Sequence, residues 1–240
     1  MMRDAIPANV VAAAAEFHQK QAELVQLCVA VQQIPAPTGD EAARGAWVQE
    51  QFAGFGLQDV HIDALFNVYG RLAGQSQTGA LLVSAHTDTV FPAETDLTIR
   101  VDDQTGRLFG PGIGDNSTGV ASLLALARCM TELPPPPVDI WFVANSGEEG
   151  LGDLKGMRGA VDRLADRIRA AIVIEGMGLG RIVHRALGSR RYRISVSAHG
   201  GHSWSDFGTA SAIHTLVLMA ADLVRIKVPA NPRTTFNVGR

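Results

Sequence analysis

Apolar and polar positions follow two rhythms along this chain, and the change between them divides it. From about Asn9 to Gln33 the residues Leu24, Val25, Cys28 and Val31 fall on one stripe, which predicts a helix. Ile34-Pro35-Ala36-Pro37-Thr38-Gly39 breaks it, and Thr38 or Asp40 can cap a second helix through Trp47 and Phe52. Val60 to Ile62, Val68 to Leu72 and Leu81 to Ala85 read as strands. Val120, Leu123, Leu124 and Ala127 recur at helical spacing within a helix from Ser117 to Glu132. Pro134 to Pro137 ends that helix as a stiff connector and leads into the strand Val138 to Ala144. A further helix takes in Asp162 to Arg169, and the strand Ala171 to Ile174 follows. Alternating β and α segments predict an α/β fold, with a mixed, mostly parallel sheet flanked by helices.

The rhythm changes after Gly188. Tyr192, Ile194, Val196 and Ala198 alternate with Arg191, Arg193, Ser195 and Ser197, as in a strand with one wet face. A helix from about Thr209 to Lys227 and a strand over Thr234 to Val238 complete a β-α-β beginning. The expected organisation is one domain over 1–187 and the first part of a small α+β domain over 188–240.

Composition narrows the class. The chain has 240 residues, 46% hydrophobic and 19% charged, which is enough for a large core with a smaller domain attached. A net charge of −3 gives no reason to expect a nucleic-acid partner, and Arg190, Arg191 and Arg193 read as a solvated face. Cys28 and Cys129 read as buried free thiols of a reducing compartment. No stretch approaches the roughly 18 apolar residues of a membrane span, and no secretory leader is recognisable, so a soluble cytoplasmic protein is expected.

The candidate chemistry lies where the strands end. His86 closes the run Leu81 to Ala85, and Glu175 closes Ala171 to Ile174. Glu148 and Glu149 follow the strand before them by a few residues, and Asp115 sits in a glycine-rich loop before a helix. An open α/β sheet binds its ligand at the carboxyl ends of its strands. One imidazole with several carboxylates suits a pair of divalent metals that activate water. His86 reads as a ligand with Asp88 as its orienting carboxylate. The plainer reading is a strand-end histidine in ordinary loop hydrogen bonds. Asp115 can bridge two metals, or it or Asn116 can merely cap the following helix. Of the adjacent pair Glu148 and Glu149, one can bind metal while the other takes a proton, or both can be solvated. Glu175 ends a very apolar strand, where an unpaired acid is costly. In Gly200-Gly201-His202-Ser203-Trp204, His202 can stabilise a developing oxyanion, with His199 as its rival. His18, His61, His184 and His214 are assigned to surface or helix faces.

Taken together, these motifs resemble the M20 family of metallopeptidases. That family includes aminoacylases, acetylornithine and succinyl-diaminopimelate deacylases, and di- and tripeptidases. The resemblance rests on Ser84-Ala85-His86-Thr87-Asp88-Thr89-Val90, Gly114-Asp115-Asn116-Ser117-Thr118-Gly119, Gly147-Glu148-Glu149-Gly150, Ile174-Glu175-Gly176 and Gly200-Gly201-His202-Ser203, in the family order. It implies a zinc-peptidase-like fold and a centre of two Zn2+ ions, with Co2+ or Mn2+ as substitutes. His86 and Glu175 would hold one metal, Asp115 would bridge, and Glu149 would hold the other. Glu148 would be the general base and Asp88 would orient His86. His202 would sit on a lid and dimerisation domain, so a homodimer is implied. The substrate would be a small peptide or an N-acyl amino acid, and the wording around His202 is closer to the peptidase members. Family members close the second metal site with a further histidine near a longer C-terminus, and no histidine follows Lys227. The alternative expectation is therefore a metal-binding remnant that is catalytically incomplete.

Overall fold

The structure, a computed structural model, describes residues 6–176, 178 and 180–239. It divides into two compact units, Met1–Arg181 and Ile182–Arg240. In the first unit the helices are α1 (Ala8–Gln19), α2 (Gln21–Gln32), α3 (Ala42–Gly54), α4 (Thr118–Thr131) and α5 (Lys155–Leu164). The strands are β1 (Gln58–Ile62), β2 (Val68–Leu72), β3 (Ser76–His86), β4 (Arg100–Val101), β5 (Leu108–Phe109), β6 (Val138–Asn145) and β7 (Ile168–Val173).

The main sheet has the order β1-β2-β6-β3-β7. β3 runs parallel to both β6 and β7, while β2 is antiparallel to β1 and β6. Four strands therefore point one way and only β2 runs against them, which is the mixed, mostly parallel α/β sheet predicted. β6 lies inside the sheet and is buried from Asp139 to Asn145, as expected of a strand covered on both faces.

Alternation along β6 feeds two cores. Phe142 and Ala144 join Val31, Val48, Phe52, Leu123 and Leu124 beneath α2, α3 and α4. Trp141 and Val143 join Tyr69, Leu82, Ala160 and Leu164 beneath α5. The helical spacing of Val120, Leu123, Leu124 and Ala127 is thus the buried stripe of α4.

Some boundaries differ from the pattern. The first predicted helix is two, separated at Lys20, whose ψ of 23° leaves the helical range. The helix placed over 162–169 lies earlier, at α5, because Ile168 opens β7 rather than extending the helical face. The β4–β5 hairpin has two residues on each side, too few to show a period. Cys28 is buried, whereas Cys129 is only partly so.

In the second unit the helix is α6 (Ala212–Leu223), capped by Ser211, whose Oγ accepts the His214 N–H at 3.3 Å. The segments 191–198 and 234–238, predicted as strands, belong to neither sheet. Alternation marks a chain that can present one face. A strand also needs a neighbour for its ladder, and no described residue supplies one here. No helix among the described residues is long and apolar enough to cross a membrane.

Phe52 is fully buried and packs its ring against that of Phe142 at 6.4 Å between centroids. Phe52→Ala is expected to cost about 3–5 kcal/mol of stability, as large-to-small changes in a closed core do. A urea midpoint that fell without a change of slope would register it.

Candidate metal centre

The register of three strands brings the candidate residues to one level. His86 is the last residue of β3 and lies opposite Asn145, the last residue of β6. The Thr87 N–H donates to the Asn145 carbonyl at 2.7 Å, so the two chains leave the sheet side by side. On the other flank the Ile174 N–H donates to the Ser84 carbonyl at 2.7 Å, which puts Glu175 just past the end of β7. His86 therefore has Glu148 and Glu149 on one side and Glu175 on the other.

Asp115 arrives from the kinked segment Ile113–Ser117 before α4, where Asp115 and Asn116 leave helical geometry. Its neighbour Asn116 fixes that segment. The Asn116 side chain accepts the Gly119 N–H at 3.0 Å and donates to the Ile174 carbonyl at 3.0 Å. Gly176 must be glycine for this approach, because a Cβ there would run into the Gly114 carbonyl.

The resulting cluster is compact. His86, Asp115 and Glu149 each offer one donor atom, and these atoms lie within 4.8 Å of one another. His86 Nε2 is 3.0 Å from Asp115 Oδ1 and 3.7 Å from Glu175 Oε2. Nδ1 is 3.0 Å from the Asp88 carbonyl and 3.4 Å from Asp88 Oδ1. A carbonyl only accepts, so Nδ1 carries the proton, and Nε2 is the nitrogen that faces the carboxylates. The His86 ring is 2% exposed, whereas Asp115 and Glu175 are about half exposed, at 51% and 50%. Imidazole nitrogen and carboxylate oxygen form a donor set that suits zinc and related divalent ions.

Asp88 lies behind the ring and is fully buried. Its Oδ1 accepts the Glu148 N–H at 2.9 Å; its Oδ2 accepts the Glu149 N–H at 2.9 Å and the Thr38 hydroxyl at 2.9 Å. Burial alone would raise its pKa, but the hydrogen bonds from His86, the two backbone N–H groups and Thr38 overcome this and lower it to about 2. Burial likewise opposes charge on His86, yet hydrogen bonds and charge from Asp88 and Glu175 raise its pKa to about 10. A proton on Nε2 thus offsets the surrounding carboxylates in the place a cation would take. Glu148 is pushed up by burial, against the pull of His86, with Glu175, Asp88 and Asp115 adding to the rise. Glu149 is pushed up by burial and then by Asp115 and Glu148.

Sequence reasoning gave Thr38 only a helix-capping role, whereas its hydroxyl goes to Asp88 and α3 starts after Glu41 with no side-chain cap, and it did not single out Glu41 or Arg44. Arg44 is buried and donates to the Thr87 carbonyl at 2.7 Å and, through Nε, to the Ile34 carbonyl at 3.0 Å. Burial lowers its pKa to about 10, and the Asp88 charge partly restores it. A charged residue one turn into an otherwise apolar helix face was the available signal. His202 lies in the second unit within a turn of its own. Its N–H donates to Asp206 Oδ2 at 2.7 Å, and its Nδ1 accepts the Trp204 N–H at 3.2 Å.

Fold and cluster together define an α/β protein with a candidate metal centre at its strand ends. A family model described as peptidase family M28 matches residues 67–199, and the chain belongs to that family. Over 183 residues it is 27% identical to succinyl-diaminopimelate desuccinylase of Paracoccus denitrificans (strain Pd 1222), covering 71% of this chain and 47% of that one. The chain thus spans about half the length of this curated relative. Aminopeptidase PepT from Bacillus cereus ATCC 10987 superposes with a TM-score of 0.55 at 23% identity, over 66% of this chain and 44% of that one. The dipeptidase Dug1p from Saccharomyces cerevisiae gives a TM-score of 0.55 at 15% identity, over 69% and 40%. These two likenesses show the fold.

The charges of the cluster set a pH dependence for the metal-free protein. His86 has a raised pKa, so its contribution is full below its ordinary 6.5 and is lost as pH climbs towards about 10. Asp88 has a lowered pKa, so its contribution is full above its ordinary 3.8 and is lost as pH falls towards about 2. Glu148 and Glu149, both raised, add a cost above their ordinary 4.5. With a chelator present, the urea midpoint is expected to fall between pH 6.5 and 10. Added zinc should flatten that fall, and a His86→Gln variant should show little of it.

Proposed function

We propose that the protein is a metal-dependent hydrolase of amide bonds in small peptides or N-acyl amino acids, of M20 type within this broader peptidase fold. The observation that carries this reading is the meeting of His86, Asp115 and Glu149 donor atoms within 4.8 Å, with Glu148 close enough to feel the charges of His86 and Asp115. The order and wording of the five motifs support the M20 assignment, as does the likeness to a desuccinylase. His86 and Glu175 would hold one zinc ion, Asp115 would bridge, and Glu149 would hold a second. When bound, zinc supplies Lewis acidity towards the scissile carbonyl and eases ionisation of water.

The chain's own residues account for the proton movements. Glu148 takes a proton from the attacking water at its carboxylate and returns it to the leaving nitrogen. Burial and the neighbouring carboxylates raise its pKa above the usual carboxylate range, which is the direction that suits a group that must both accept and donate. Asp88 keeps the His86 tautomer, with Nδ1 protonated and Nε2 turned to the carboxylates. Residues 1–187 would form the catalytic part and 188–240 part of a lid and dimerisation domain of a homodimer in the cytoplasm. The exposed Ile213, Val217 and Leu218 of α6 fit such a contact. His202 would serve the developing oxyanion from that lid.

Purified chain supplied with zinc should hydrolyse dipeptides or N-acyl amino acids, N-succinyl-diaminopimelate among them. Glu148→Gln is expected to lower kcat by about 10²–10⁴, the usual worth of a general base, with metal content unchanged. Asp115→Asn should lose metal. Hydrolysis that survives complete chelation would sink the proposal. Metal bound without turnover would favour the incomplete centre, since His86 is the one imidazole in the described cluster.

A further inference from the structure

Three successive backbone N–H groups precede the metal-facing carboxylate of Glu149, and two buried side chains hold all of them. Asp88 takes the Glu148 and Glu149 N–H groups at 2.9 Å each. Glu41 takes the Gly147 N–H through Oε1 at 3.0 Å. Glu41 stands just before α3, 106 residues away in sequence, and its side chain is completely buried.

The position suggests a helix cap, but the hydrogen bonds do not. Glu41 makes no side-chain bond to the first turn of α3. Its Oε1 instead accepts the Gly39 N–H at 2.9 Å, which points the carboxylate back, away from the helix. Only its backbone carbonyl serves α3, accepting the Gly45 N–H at 2.8 Å. Its other carboxylate oxygen, Oε2, is buried and has no hydrogen-bond partner among the described residues. A buried carboxylate is costly, and one with an unpaired oxygen more so; a neutral side chain would fill the space at lower cost. The arrangement makes sense where an acceptor for the Gly147 N–H is itself useful.

The same stretch also reaches Asp88. The Thr38 hydroxyl donates to Asp88 Oδ2 at 2.9 Å, the Thr38 N–H donates to the Thr89 carbonyl at 3.2 Å, and Arg44 holds the Thr87 carbonyl at 2.7 Å. One short segment at the start of α3 therefore grips both loops of the centre. Gly147 has φ of +58°, a conformation only glycine takes readily, so the loop needs such restraint to keep its path.

We infer that Glu41 is a positioning residue that, with Asp88, fixes the backbone of Gly147, Glu148 and Glu149, so that the two glutamate carboxylates are presented to the centre from a rigid loop. The inference rests on the roles given to Glu148 and Glu149 above. Two readouts separate the two ideas. The first is amide hydrogen exchange, which needs no metal. Glu41→Ala and Glu41→Asp, which cannot reach Gly147, should speed exchange at residues 147–149 by at least about tenfold while leaving β3 and α4 unchanged, as a local opening does. Glu41→Gln keeps an acceptor oxygen and should restore protection. The second is Co2+ titration followed by visible absorption. Glu41→Ala should weaken Co2+ binding by about 10–100-fold and alter the spectrum, the usual effect of removing a support behind a ligand. A folded Glu41→Ala protein with wild-type exchange at 147–149 overturns the inference. If Glu41→Ala does not fold, Glu41→Asp is read in the same way. Wild-type protein that binds no Co2+ would instead overturn the metal-centre reading, and exchange would still decide the role of Glu41.

Discussion

The Asp88 carboxylate is buried without exposure and touches every part of the centre except Asp115 and Glu175. It stands against His86 Nδ1, takes a hydroxyl from the segment before α3, and holds two consecutive N–H groups of the loop after β6. A charge so placed is stable only while its donors stay in place, since an ionised carboxylate stripped of them in a closed interior is among the most costly of groups. The donors in turn come from segments about 50 and 60 residues away in sequence. Packing of α3 on the sheet, pairing of β3 with β6 and orientation of the imidazole are thus made mutually dependent by one side chain. The same group performs a structural and a chemical task, which explains why its loop is sealed on the inside while Asp115 and Glu175 remain open to solvent.

Strand register does the remaining work. His86 and Asn145 end their strands opposite each other, and Ile174 bonds to Ser84 one step earlier. Parallel neighbours that stop at one level put their following residues into the same small volume. The centre therefore gathers His86, Glu148, Glu149 and Glu175 from strand ends, while Asp115 is brought in by the long connection between β3 and α4.

Much of this was legible in the sequence because it depends on local pattern. The run from Leu81 into His86, the buried stripe of α4 and the apolar β6 all follow from periodicity and chain breakers. The spacing of acid and imidazole groups after strands marked His86, Asp115 and Glu149, whose donor atoms lie within 4.8 Å of one another. Glu41 escaped notice because nothing local marks it: a Glu before a helix resembles a cap, and its real partner is Gly147 in a distant loop; Arg44 carried a weak local signal, but its partners at Ile34 and Thr87 lie outside its helix. The break at Lys20 and the start of β7 at Ile168 were also invisible, since a single backbone angle decides the first and pairing with β3 the second. The alternating segments at 191–198 and 234–238 show the converse. Alternation reports which residues can share a face, not whether a partner strand is there to pair with.

The level at which β3 and β6 stop makes this part of the chain a ruler, and rulers do not tolerate changes of length. Adding or removing one residue between Leu81 and His86 would turn the imidazole to the opposite face of the sheet, because side chains alternate with a period of two. A residue added to the turn between β4 and β5, where Asp102 accepts the Gln104 and Thr105 N–H groups of an exposed bend, leaves the register of β3 and β6 untouched. Variation in length among proteins sharing this architecture should accordingly collect in the β4–β5 turn and in the connection before β6. The stretches Leu81 to Asp88 and Ile140 to Glu149 should keep a constant count. Such a count is a criterion for judging distant sequences that identity at a few polar positions does not provide.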